Sequence, residues 1–217
     1  MSGLNISDLQ TGDLLLFNYQ GGGFFSAIGN LIRWGTNSNY THISMVLRDP
    51  VFIDFPPLKG LFVWESSYEG TKDPQDGKIK LGVQITPLEE VINNYQGEVY
   101  IRKLKRDFDY SCSSCGHSLD TLFTKEKLQE IHNNVYDKPY DIVPSDWIEA
   151  FFRKDTNPQK TDRFWCSALV GYIYTMVGIL DKDTDWSILR PSDFSLNGDN
   201  LKFANENILE DSIKKIK

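Results

Sequence analysis

Apolar and polar positions along the chain follow two periods, one of two residues in the first half and one between three and four in the second. Leu14-Leu15-Leu16-Phe17 is a short apolar run between the turn Thr11-Gly12-Asp13 and the glycines 21–23, the pattern of a buried strand. Thr41 to Arg48 alternates strictly: Ile43, Met45 and Leu47 share one face, and His42, Ser44, Val46 and Arg48 the other. Leu61 to Ser67 repeats the alternation and places Glu65 on the face of Val63 and Ser67. Lys80 to Thr86 and Glu98 to Leu104 bring the expected total to about five strands at hairpin-like spacing. Between them, Pro87 to Ile92 reads as a short helix with proline at its first position.

Helical spacing governs the rest. Phe24, Ile28, Leu31 and Ile32 share one face of a segment that ends at Trp34, and Thr124 opens a helix running to His132. Ser145 to Phe152 is a further amphipathic candidate. From Cys166 onward, Leu169, Val170, Ile173, Val177 and Leu180 form an apolar stripe, with Thr161 and Asp162 as expected N-caps and Gly178 as the stop. Leu189 to Phe194 reads as a turn or short helix, and 206–217 as a charged strand or helix packed on the outside. Strands followed by helices predict an α+β domain with an antiparallel sheet. At 217 residues and 40% hydrophobic content, one domain with a full core is expected, carrying a polar insertion at about 107–120.

A net charge of −7 argues against nucleic acid and against an anionic membrane surface, both of which need clustered Lys and Arg. The basic residues in 102–106 read as alternation at a strand end. No stretch has the basic start and apolar core of a secretory signal, and no apolar run reaches the ~18 residues of a membrane span. Three cysteines, an odd number, then suggest free thiols and a cytoplasmic location. Peripheral membrane contact and the oligomeric state stay open.

The candidate chemistry rests on Cys166. A thiol in the first turn of a helix lies beside unpaired N–H groups and the positive end of the helix dipole, which favours its thiolate, although a single cysteine on an apolar helix is commonly core. His42 on one strand and Glu65 on its expected neighbour supply a base and a group to orient it. Cys112, Cys115 and His117, with His132 as a fourth ligand, would suit a zinc knuckle, but the second closely spaced pair of a structural zinc site is missing. A polar connecting loop or a reversible disulfide is the alternative there, and the main reading calls for no metal and no cofactor.

Six short collinear segments carry a resemblance: 11–17, 39–46, 63–66, 138–141, 165–170 and 190–194. Together they resemble the permuted papain-like amidases, the YiiX/YaeF-like branch of the NlpC-type cysteine hydrolases, which includes relatives of lecithin:retinol acyltransferase and poxviral members. The order His, acid, Cys is what marks the circular permutation. The resemblance implies a permuted papain-like fold in which Cys166 is the nucleophile, His42 the general base and Glu65 the orienting residue. Where the family often has Glu two places after the cysteine, this chain has Ala168. The implied activity is opening of an amide or ester through a thioester. Phe24, Phe25, Trp34, Tyr40 and Trp165 are the expected substrate contacts, and their aromatic character suits a lipid or other acylated small molecule. A peptidase or deubiquitinase, a peptidoglycan-type amidase and a non-enzymatic interaction module are the alternatives.

Overall fold

The computed structural model describes residues 5–21, 39–54, 56–105, 119–141, 161–198 and 200–217. Six strands form one antiparallel sheet: β1 (Leu14–Tyr19), β2 (His42–Arg48), β3 (Leu61–Ser67), β4 (Gly82–Pro87), β5 (Gly97–Arg102) and β6 (Lys214–Lys215), in the order β4-β3-β2-β1-β5-β6. The expectation of about five strands is therefore one short. The sixth, β6, is two exposed lysines in the charged tail, a stretch with no apolar alternation to reveal it. It exists because the β5 edge offers partners, Tyr100 to Lys215 and Ile101 to Lys214.

Four helices are described: α1 (Leu88–Asn94), α2 (Leu119–Leu122), α3 (Lys125–Val135) and α4 (Cys166–Val177). Pro87 stands at the N-cap of α1 rather than inside it. Thr124 caps α3 as expected, its hydroxyl accepting from the Lys127 amide, and Gly178 closes α4 in the left-handed conformation. The segments 24–34 and 145–152, expected as helices, lie outside the described residues.

Period-two alternation gives the sheet two apolar faces. Leu14, Leu16, Ile43, Met45, Leu47, Phe62, Trp64, Val83 and Ile85 pack with the α4 stripe Leu169, Val170, Ile173 and Val177 and with Leu128, Ile131 and Val135 of α3. On the opposite face Leu15, Phe17, Val46, Val63, Val99 and Ile101 are covered by Leu9 and by Leu88 and Val91 of α1. His42, Ser44, Glu65 and Gln84 share that second face with them. No helix among the described residues is long and apolar enough to cross a membrane. The expected basic stretch is not a stripe: Arg102 is buried, donating to the carbonyls of Phe194, Ser195 and Glu210, while Lys105 pairs with Asp211.

A polar cluster fixes the connection between β3 and β4. The buried Lys80 ammonium lies 2.9 Å from both Asp73 and Asp76 and sits over the Tyr136 ring. Asp73 also accepts from the amides of Gln75 and Ile85, so its charge is well compensated inside the protein. His132 of α3 belongs to this region. Its Nε2 is 2.5 Å from the Gln75 side-chain oxygen, among the rings of Phe52, Trp64 and Tyr136.

Candidate active site

Cys166 is the first residue of α4, and the way the chain is held just before it explains why the helix starts there. Phe164 donates its amide to Pro139 and accepts at its carbonyl from the Asp141 amide and the Ser66 hydroxyl, the last at 2.6 Å. Residues up to Trp165 are thereby kept extended, and Trp165 becomes the N-cap with no side-chain cap bond. The expected caps Thr161 and Asp162 are thus replaced by Trp165, nearer the thiol, because backbone pairing and not a capping side chain ends the extended segment. The amides of Cys166, Ser167 and Ala168 precede the first helical bond, which Leu169 makes to the Trp165 carbonyl, and have no partner among the described residues.

The segment 138–141 that braces Phe164 is itself docked on β4. The Val83 amide donates to the Lys138 carbonyl and the Tyr140 amide to that of Leu81. Gly82 makes this approach feasible: with φ +149°, a Cβ there would lie 2.3 Å from the Lys138 carbonyl oxygen. On the other side of α4, Gly171 leaves room for Trp186 and Leu189, and the Leu189 carbonyl accepts from both the Ser167 hydroxyl and the Trp165 indole.

His42 opens β2 at the last rung of its ladder with β1, opposite Phe17, whose ring centroid is 5.0 Å from the imidazole. Glu65 lies in the middle of the adjacent β3, wholly buried, and its Oε2 is 2.9 Å from His42 Nε2. Cys166 acts on the same imidazole electrostatically, and with Nε2 taken by Glu65, Nδ1 is the nitrogen left for sulfur. Burial works against a charged ring, but the influence of Cys166, followed by the hydrogen bond and charge of Glu65, outweighs it and pushes His42 up from 6.5 to about 10. Of the three side chains expected from sequence to act together, His42 and Glu65 are in direct contact, and Cys166 acts on His42 electrostatically. Among the described residues Glu65 Oε1 has no hydrogen-bond partner, and neither does the Nε2 of its register neighbour on β4, Gln84.

Of the other expected contacts, Trp165 is buried beside the nucleophile with its indole N–H held by Leu189. Tyr40 is half-buried against β5, its ring edge-on to Tyr100 at 5.5 Å, and burial raises its phenol, with Arg102 opposing and Glu98 assisting. Phe24, Phe25 and Trp34 lie outside the described residues, as do Cys112, Cys115 and His117. Among the described residues no group of metal-ligating side chains is gathered.

Three residues at the site escaped the sequence reading. Tyr140, quoted there only within a motif, has its phenol raised well above its usual value by burial, then by the charges of Cys166 and Asp141. Tyr95 follows α1 and packs on Phe17 and Tyr19. Its phenol is raised mainly by burial; a hydrogen bond with Thr41 opposes the rise, and the charges of Glu69 and Cys166 add to it. Glu69, just past the end of β3, accepts from the Ser67 hydroxyl at 2.6 Å. The usable signal for Glu69 was an acid four residues beyond Glu65; nothing local marks the two tyrosines, which reach the site through pairing distant in sequence. Neither a scan of protein-family models nor a search of curated proteins returns a match to this chain.

Proposed function

We propose that this protein is a thiol hydrolase or acyltransferase of the permuted papain-like kind, opening an amide or ester through a thioester on Cys166. The observation that carries the reading is a single imidazole bonded through Nε2 to a fully buried carboxylate and raised by a thiol at a helix start. The His42 proton, retained to about pH 10, stabilises a thiolate beside it. The sulfur electron pair attacks the acyl carbon and forms the C–S bond, and the carbonyl oxygen takes up the negative charge. We assign the stabilisation of that charge to the amides at the α4 start and to the Tyr140 phenol.

Collapse of the tetrahedral adduct breaks the bond to the leaving amine or alcohol, which takes the His42 proton. Water or an acyl acceptor then gives its proton to His42, attacks the thioester and releases the thiolate. Glu65 keeps the ring turned toward sulfur throughout and stabilises its positive charge. A lipid or acylated small molecule remains the proposed substrate class, on the strength of the aromatic residues around the site.

The test is intact-mass and burst analysis with p-nitrophenyl acetate. Wild type should acquire one acetyl group on Cys166 with stoichiometric release of nitrophenol, and Cys166→Ala should do neither while keeping its circular dichroism. Acetylation elsewhere, or full turnover by Cys166→Ala, sinks the proposal in favour of an interaction module.

A further inference from the structure

A charged cavity lies between the end of β5, the short turn Pro191–Phe194 and the tail that leads to β6. Its volume is about 180 Å³, and none of Cys166, His42 and Glu65 lines it. Arg102 closes one side. This side chain is buried, and its Nε and Nη1 are spent on the carbonyls of Glu210, Phe194 and Ser195 at 2.8 to 2.9 Å. Nη2 makes no hydrogen bond or ion pair among the described residues, and it is not one of the buried atoms shut off from solvent. A guanidinium held only by carbonyl dipoles lacks a counter-charge, and its unused N–H pair is what it offers to the cavity it lines.

Two carboxylates line the same space. Asp193 is buried, its oxygens accepting from the Arg190 amide and the Asn200 side chain, and Asp211 stands at the rim, exposed and 3.2 Å from Lys105. Leu196, Leu201 and Phe203 supply an apolar wall, of which Leu196 is left 49% exposed. A simple anion entering here meets two carboxylates, and a simple amine meets the guanidinium; a small molecule carrying both charges satisfies both. The volume is below the ~300 to 1,000 Å³ of pockets for drug-sized ligands, so the occupant is small. We propose that this cavity binds a free α-amino acid with an apolar side chain. Its carboxylate accepts from Arg102 Nη2, its ammonium faces Asp193 and Asp211, and its side chain lies on Leu196, Leu201 and Phe203.

The test is isothermal titration calorimetry on the full chain with L-alanine, L-valine, L-leucine, L-methionine and L-phenylalanine, at least one of which should bind saturably with one site per chain. The binder is then compared with its analogues lacking one charge, which for leucine are 4-methylpentanoate and 3-methylbutylamine. Each analogue should bind about tenfold more weakly or worse, the effect of losing one charge-assisted hydrogen bond. No binding by any of the amino acids, or equal binding by either analogue, overturns the proposal.

Variants then locate the ligand. Asp211→Asn changes an exposed side chain and should weaken the amino acid severalfold while narrowing its advantage over the analogue that has only the carboxylate. Arg102→Lys keeps a cation for the three carbonyls but has no Nη2, and it should abolish detectable binding with circular dichroism unchanged. Unchanged binding in Asp211→Asn overturns the proposal whether or not Arg102→Lys folds. Cys166→Ala should bind as wild type does; binding lost in that variant places the ligand at the thiol and overturns the proposal too.

Discussion

Replacing Glu65 with Gln tests the triad electrostatics at the point where geometry makes the clearest demand. The substitution keeps the shape and an oxygen for His42 Nε2 but removes a charge 2.9 Å away in a site closed to water. His42 stands at about 10 rather than 6.5, which at ~1.36 kcal/mol per unit corresponds to about 5 kcal/mol in favour of the imidazolium. Cys166 leads Glu65 among the groups that sustain this, so Glu65→Gln should lower His42 by about 1 to 2 units, or ~1.4 to 2.7 kcal/mol, and Cys166→Ala by more.

The chain has 3 histidines, so ring-labelled histidine NMR can follow each titration separately. Because the folded value is raised, the stability contributed by charged His42 is complete below about 6.5 and is lost as pH rises through about 10. Chemical denaturation across that window should therefore show a decline in wild type that is smaller in Glu65→Gln. A wild-type His42 titrating near 6.5, or one unmoved by both substitutions, would refute the reasoning.

Three further outcomes follow from the supports of the site. Gly82→Ala drives a Cβ against the Lys138 carbonyl at a backbone angle that alanine disfavours; urea denaturation should show a loss of about 2 kcal/mol or more, and Cys166 acetylation should slow as 138–141 lifts from β4. Tyr140→Phe keeps the ring and removes the phenol assigned to the oxyanion, so kcat/KM on p-nitrophenyl acetate should fall roughly 10- to 100-fold with the melting temperature little changed; equal activity would remove Tyr140 from oxyanion stabilisation. Lys80→Ala strands the buried Asp73 carboxylate, and denaturation should report a cost of about 3 to 5 kcal/mol, largely insensitive to salt because the pair is shielded from solvent.

What the sequence could determine was whatever each segment states through its own period. Alternation in 41–48 and 61–67 already gave His42 and Glu65 each a face on its own strand, and the i, i+3, i+4 stripe after Cys166 already placed the thiol at a helix start; that the two faces match is set by strand register. Those facts follow from burying one face of each element, a local requirement. The charged tail 206–217 read as either a strand or a helix, and only the β5 edge, which pairs with Lys214 and Lys215, decides for a strand there. Likewise the first residue of α4 is set by hydrogen bonds from Pro139 and Asp141, more than 20 residues upstream, and not by a capping side chain. Glu69, Tyr95 and Tyr140 arrive from three separate connections, after β3, after α1 and along β4. That Tyr95 and Tyr140 feel the charge of Cys166, and Glu69 that of His42, depends on sheet order and on a glycine that admits a backbone oxygen, which only the tertiary structure decides.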